Sequence, residues 1–160
     1  MTPVDRIAAA LTARQQTLAT VECSLGGAIG GALTEVAGAS AWFVGCVAPY
    51  SAAAKEALLG VGREALGADG AVSPLAARLL AEAARARLGA DWALAETGIA
   101  GPRGQRRSAK EPGTAYLALV GPDGHVRARA VATGLDDRAA NRRAFLAAAL
   151  ELISTSIEIA

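Results

Sequence analysis

The sequence predicts an α/β domain, a mixed and mostly parallel sheet with helices on both faces. Three features of the 160 residues carry that prediction. Short apolar runs alternate with segments whose apolar residues recur at helical spacing. The first run passes through Gly26-Gly27 directly into a small-residue helix, the strand–turn–helix order of a parallel unit. Gly121-Pro122-Asp123-Gly124 separates two later runs as a hairpin turn and adds the antiparallel part.

Each element follows from its residues. Thr2 and Pro3 supply an N-cap and a first-turn proline, and Val4, Ile7, Ala8 and Leu11 recur on one face, so the chain opens with an amphipathic helix. Leu18 to Cys23 reads as the first strand, Ala28 to Val36 as the helix after the glycine turn, and Trp42 to Tyr50 as a second strand. A helix from Ser51 to Leu59 stops at Gly60. Ser73-Pro74 starts the most regular helix, with Leu75, Leu79, Leu80, Ala83 and Leu88 inward and Arg78, Glu82 and Arg85 outward. Asp91 to Glu96 is a third strand that enters a long loop from Thr97 to Gly113. Thr114 to Val120 and His125 to Thr133 form the hairpin. Asp136 or Asp137 caps a final helix with the stripe Phe145, Leu146, Ala149, Leu150 and Ile153. One domain, 1–160, accounts for this length.

Composition narrows the function classes. Hydrophobic residues make up 52% and aromatics only 4%, so the core is expected to be close-packed from small and branched side chains. A formal charge of +1 gives no global field toward nucleic acid or a membrane surface. No run of 18 apolar residues offers a membrane span, and the first residues lack the basic-then-apolar order of a secretory signal. Cys23 and Cys46 form no CxxC pair, so neither a disulfide framework nor a metal site is expected, and a reducing, cytoplasmic setting follows.

Two loops at strand ends hold the residues with chemistry. In Glu22-Cys23-Ser24-Leu25-Gly26-Gly27, backbone N–H groups at a helix start favour an anion or oxyanion, and a thiol there is a nucleophile. The bland alternative is a glycine turn for tight packing and an inert buried cysteine. His125, the only histidine, follows the hairpin turn and suits solvent better than catalysis, so a nucleophile needs another partner. Tyr50 and Lys55 offer one, or else are a packing residue and a solvated one. Thr97-Gly98-Ile99-Ala100-Gly101-Pro102 allows close approach to a ligand but is neither a P-loop nor a dinucleotide fingerprint. Arg103, Arg106, Arg107 and Lys110 form a basic cluster beside it, fit for a phosphate or simply for water. Arg138, Arg142 and Arg143 crowd the start of the last helix against its dipole, compensated by Asp136 and Asp137 or by a bound phosphate.

Taken in order, these segments resemble the CinA C-terminal domain family, the nicotinamide-nucleotide amidohydrolases, from about Val4 to Ile153. The ordered set is specific, above all Thr-Gly-Ile-Ala-Gly-Pro following Tyr-Ser-x-x-x-Lys. The resemblance implies a three-layer α/β/α fold and a homo-oligomer. It implies hydrolysis of the carboxamide of nicotinamide mononucleotide to nicotinic acid mononucleotide and ammonia, with no metal or cofactor. The partner is thus a small nucleotide, not nucleic acid or a membrane. The family's nucleophile falls on Cys23, with Tyr50 and Lys55 assisting. Substrate contacts fall on Ser24, Gly26, Gly27, Thr97, Gly98, Gly101, Thr114 and Arg142.

The departures lie at the nucleophile. Cys23-Ser24-Leu25 stands where the family has Ser-Cys-Thr. Successive strand residues face opposite sides, so Ser24 is not a substitute for the lost serine, whereas a Cys23 thiolate beside Lys55 is a competent acylating group. The alternative is a nucleotide-binding homologue with impaired catalysis.

Overall fold

Five apolar runs pair into one sheet in the computed structural model, which describes residues 1–104 and 108–159. β1 (Leu18–Glu22) lies between β2 (Phe43–Val47) and β3 (Trp92–Ile99), both parallel to it. β4 (Thr114–Val120) and β5 (Val126–Ala132) follow antiparallel, which gives the order β2-β1-β3-β4-β5. Four of the five strands therefore point one way, and β4 alone runs against them.

Strand alternation divides the core into two layers. Leu18, Trp92, Leu94, Leu117 and Leu119 face α1 (Pro3–Arg14), α2 (Ala28–Thr34) and α6 (Arg138–Ile159). Ala19, Val21, Ala93 and Ala95 face the opposite layer, built from α3 (Ala52–Leu59), α4 (Arg63–Leu66) and α5 (Pro74–Leu88). The second layer is rich in alanine: α5 presents Ala76, Leu80, Ala81 and Ala84 to the sheet, with Leu79, Ala83 and Leu88 of the expected inward stripe packed at its margin. Small side chains let that helix approach the strands closely, as the composition implies. The architecture is the expected three-layer α/β/α.

The expected helix signals are used. Thr2 and Asp5 form a capping box, in which the Thr2 hydroxyl accepts from the Asp5 N–H at 3.2 Å and the Asp5 carboxylate accepts from the Thr2 N–H at 2.8 Å. Ser51 and Ser73 accept from the N–H groups of Ala54 and Ala76 at 3.1 and 3.0 Å. Of the two aspartates ahead of α6, Asp137 caps it by accepting from the Ala140 N–H at 2.7 Å, and Asp136 accepts from the Arg103 N–H instead.

Three expectations need correction. The third strand does not end at Glu96 but continues to Ile99, because Thr97, Gly98 and Ile99 pair with Tyr116, Ala115 and Thr114. The second strand is shorter than Trp42 to Tyr50, since Trp42 closes a 3₁₀ turn (Ala39–Ala41) and the chain leaves the sheet after Val47. The sequence reading also missed α4. Among the described residues no helix is long and apolar enough to cross a membrane.

The connections position the site. From β1 the chain moves outward through α2 to β2, then returns through α3, α4 and α5 on the other face to β3 on the far side of β1. The winding direction thus reverses at β1, with α2 on one face and α3, α4 and α5 on the other, and the carboxyl ends of β1 and β3 lie side by side. Those two ends carry Cys23 and Thr97.

Candidate active site

Alternation decides which side chains meet at the end of β1. Cys23 continues the Ala19–Val21 side, toward α3 and α5, and its N–H extends the β1–β3 ladder by donating to the Glu96 carbonyl at 3.0 Å. Lys55 comes from α3 to the same side. It is only 4% exposed, and its ammonium donates to the carbonyls of Pro49 and Tyr50 at 3.1 and 3.3 Å. Thr97, one residue past Glu96, also faces this side and donates its hydroxyl to the Ala71 carbonyl at 2.6 Å. The structure thus brings Cys23, Lys55 and Thr97 together.

The thiol is buried, at 6% exposure. Burial pushes its pKa up to about 12, against the pull of the Lys55 charge and the Thr97 hydroxyl and with the nearby Glu96 and Glu22 carboxylates adding to the rise. This corrects the expectation of a thiolate stabilised by Lys55 and a helix start. At neutral pH the sulfur carries its proton.

The expectation of open helix-start amides is corrected too. Glu22, fully buried, turns its carboxylate into the start of α2 and accepts from the N–H groups of Gly27 and Ile29 at 2.9 Å and Gly30 at 2.8 Å. It also accepts from Thr20 at 3.3 Å and from the Cys46 thiol at 3.2 Å. A second anion there would meet this one. On the same side, fully buried Glu96 accepts from the N–H groups of Ser24 and Leu25 at 3.0 and 3.1 Å and from the Ser24 hydroxyl. Burial raises the Glu96 pKa, and those hydrogen bonds oppose the rise. Among the described residues, Gly26 is the amide between Cys23 and Gly30 left without an acceptor. Gly26 is exposed, with a left-handed φ of +60° and open space where a Cβ would project.

The remaining expected site residues make the following contacts. Ser24 faces Glu96, across the strand from Cys23. Tyr50 is 70% exposed and reaches Lys55 through its backbone carbonyl, not its phenol. Gly98 is a packing residue, since a Cβ there would lie 2.8 Å from that of Ala115 and 3.1 Å from the Phe145 ring. Gly101, at φ +85°, packs against Pro112, and Thr114 is half-buried at the start of β4. Arg142 reaches in from α6 and donates to the carbonyls of Ser24 and Leu25, the latter at 2.9 Å. Arg138 donates to the Gly101 carbonyl at 3.0 Å. In the basic cluster Arg103 pairs with Glu111, while Arg106 and Arg107 lie outside the described residues. His125 stands exposed on the hairpin.

Three contributors escaped the sequence reading: Glu96, Lys110 as an anchor, and Asn141. Lys110 ties the segment before α5 to the sheet, donating to the carbonyls of Asp69 and Val72 and lying 5.7 Å over the Tyr116 ring. That segment supplies the Ala71 carbonyl to Thr97. Asn141, fully buried, donates to the carbonyls of Ala100 and Leu135 at 3.0 and 2.9 Å and holds the loop after β3. A carboxylate inside the apolar run Trp92 to Ile99 was the available signal for Glu96, because such a group is buried only with donors around it.

Residues 2–157 match the CinA C-terminal domain. A CinA-like protein from Frankia casuarinae is 42% identical over 143 residues, 89% of this chain and 32% of that protein. Another from Synechococcus sp. is 46% identical over 114 residues, 71% of this chain and 27% of that protein. The chain spans about a quarter to a third of the length of these curated relatives. The crystal structure of competence/damage inducible protein CihA from Agrobacterium tumefaciens superposes with a TM-score of 0.89 at 38% identity, over 98% of this chain and 93% of that one. The chain belongs to the CinA C-terminal domain family.

Proposed function

We propose that the domain is an amidohydrolase that converts the carboxamide of nicotinamide mononucleotide to the acid and ammonia, with Cys23 as nucleophile and Lys55 as base. The observation that carries this reading is the burial of a thiol and an amine on one side of the β1 and β3 ends, where the thiol is electrostatically coupled to the amine. The two carboxylates nearby already accept from backbone N–H groups and from the Ser24, Thr20 and Cys46 side chains, which leaves the base role to Lys55.

In this scheme Lys55, an ammonium at rest, first gives one proton to solvent and then, as the amine, takes the thiol proton while sulfur attacks the carboxamide carbon. A C–S bond forms and the carbonyl electron pair moves to oxygen, where the Gly26 N–H is the available donor. Collapse breaks the C–N bond, and ammonia leaves with the proton held by Lys55. Water then attacks the thioester, the C–S bond breaks, and the thiol is restored. Because the resting sulfur is protonated, attack and proton removal coincide. Tyr50 assists through the carbonyl that orients Lys55.

A specific observation favours a second reading, a nucleotide-binding homologue without turnover: the sulfur is 6% exposed and its pKa is pushed up to about 12. Ammonia release from nicotinamide mononucleotide separates the two. Turnover supports the hydrolase. No ammonia, but a higher melting temperature with the nucleotide present, supports binding alone, and neither response rejects both.

A further inference from the structure

We infer that Glu96 and Arg142 work as a single positioning device that fixes the backbone immediately after the nucleophile. The inference rests on the amidohydrolase reading for its kinetic test and on the geometry for its content. Glu96 lies on β3 and Arg142 on α6, and the Ser24–Leu25 peptide passes between them, its N–H held by one and its carbonyl by the other. The Glu96 carboxylate takes both N–H groups of these residues, at 3.0 and 3.1 Å, and the Ser24 hydroxyl. The Arg142 guanidinium takes both carbonyls, one with each terminal nitrogen. In a trans peptide the N–H and C=O leave on opposite sides, so a negative group grips one side of the loop and a positive group the other. Both groups hold the Ser24–Leu25 peptide, each polarising the bond the other makes, so the two grips reinforce one another there. The planar fork of arginine suits two successive carbonyls, which a lysine ammonium cannot match.

The consequence falls on Cys23. Its own N–H is held by the Glu96 carbonyl, so one residue of β3 fixes the backbone of Cys23, Ser24 and Leu25. Arg142 completes the grip and sets the Leu25–Gly26 peptide, whose N–H is the unpaired one. Two rival roles are thereby displaced: Arg142 as a direct substrate contact and Glu96 as a general base, whose oxygens are already occupied.

Steady-state kinetics on the whole domain with nicotinamide mononucleotide test this. Arg142→Met and Glu96→Ala are each expected to lower kcat about tenfold or more with KM changed by less than about threefold, as for loss of transition-state positioning. Glu96→Gln is expected to retain kcat within about threefold, since its amide oxygen accepts both N–H groups and its NH2 donates to Ser24. The Glu96→Ala/Arg142→Met double variant is expected within about threefold of the worse single variant. A raised KM with unchanged kcat in Arg142→Met, a Gln variant as inactive as Ala, or multiplying effects overturn the inference. If the wild-type domain releases no ammonia, the hydrolase reading fails while amide hydrogen exchange still tests the device. Arg142→Met, or Arg142→Lys should that variant not fold, is expected to speed exchange at the Ser24 and Leu25 N–H groups about tenfold, although it touches only their carbonyls. Unchanged exchange overturns it.

Discussion

Iodoacetamide labelling of Cys23, in a Cys46→Ser background that leaves one thiol, reads the state of the proposed nucleophile. With its pKa pushed up to about 12, Cys23 holds a thiolate fraction of about 3 × 10⁻⁵ at pH 7.5, against about 0.1 for an ordinary cysteine near 8.5. That is a deficit of about 3,000-fold, of which the greater intrinsic nucleophilicity of a high-pKa thiolate restores about 40-fold. The expected rate is therefore about two orders of magnitude below that of a free cysteine peptide, before burial slows it further. It should rise about tenfold per pH unit from 7.5 to 10.5, where an ordinary thiol has already levelled off. Lys55→Met should slow labelling again, because the Lys55 charge is the strongest influence favouring the Cys23 thiolate. Intact-mass spectrometry follows the adduct. Labelling at the free-peptide rate, or a plateau near pH 7, refutes the reasoning.

Glu22→Ala strips the acceptor from the N–H groups of Gly27, Ile29 and Gly30 and should cost about 3 kcal/mol or more in urea unfolding, at roughly 1–3 kcal/mol for each buried group left unpaired. Gly98→Ala drives a methyl against Ala115, the Thr114 carbonyl and Phe145, and should cost about 1–3 kcal/mol by thermal denaturation; a neutral result contradicts the close packing. The raised Glu96 pKa means the folded state binds its proton more tightly than the unfolded chain. Its contribution is fully present below the ordinary value of 4.5 and is lost as pH rises through the higher folded value. The melting temperature of Glu96→Gln should therefore gain on the wild type as pH rises from about 4 to 7, and a gap that narrows instead contradicts the shift.

Much of the fold was legible because its signals are local. Caps at Thr2, Ser51 and Ser73, helical spacing in α5 and the Gly121 to Gly124 turn each act within a few residues. The end of β3 was not, because Gly98 interrupts the run and Thr97 to Ile99 become strand only through β4. At the site, the side on which Cys23 and Ser24 lie followed from strand alternation. What the glycine turn does with its amides did not, since Glu22 and Glu96 are acceptors that look like ordinary strand-end charges in one dimension. Arg142 presented the same difficulty: cations at a helix start suggested a phosphate or neighbouring aspartates. The partners are carbonyls 117 and 118 residues away in the chain.

The central claim is that sulfur, and not a neighbouring hydroxyl or water alone, forms the bond to the substrate. Ammonia release and calorimetric binding of nicotinamide mononucleotide, measured side by side for wild type and Cys23→Ala, test it most directly. Turnover is expected of the wild type, and of the variant nucleotide binding within about threefold but no turnover. Ammonia produced by Cys23→Ala at the wild-type rate contradicts it.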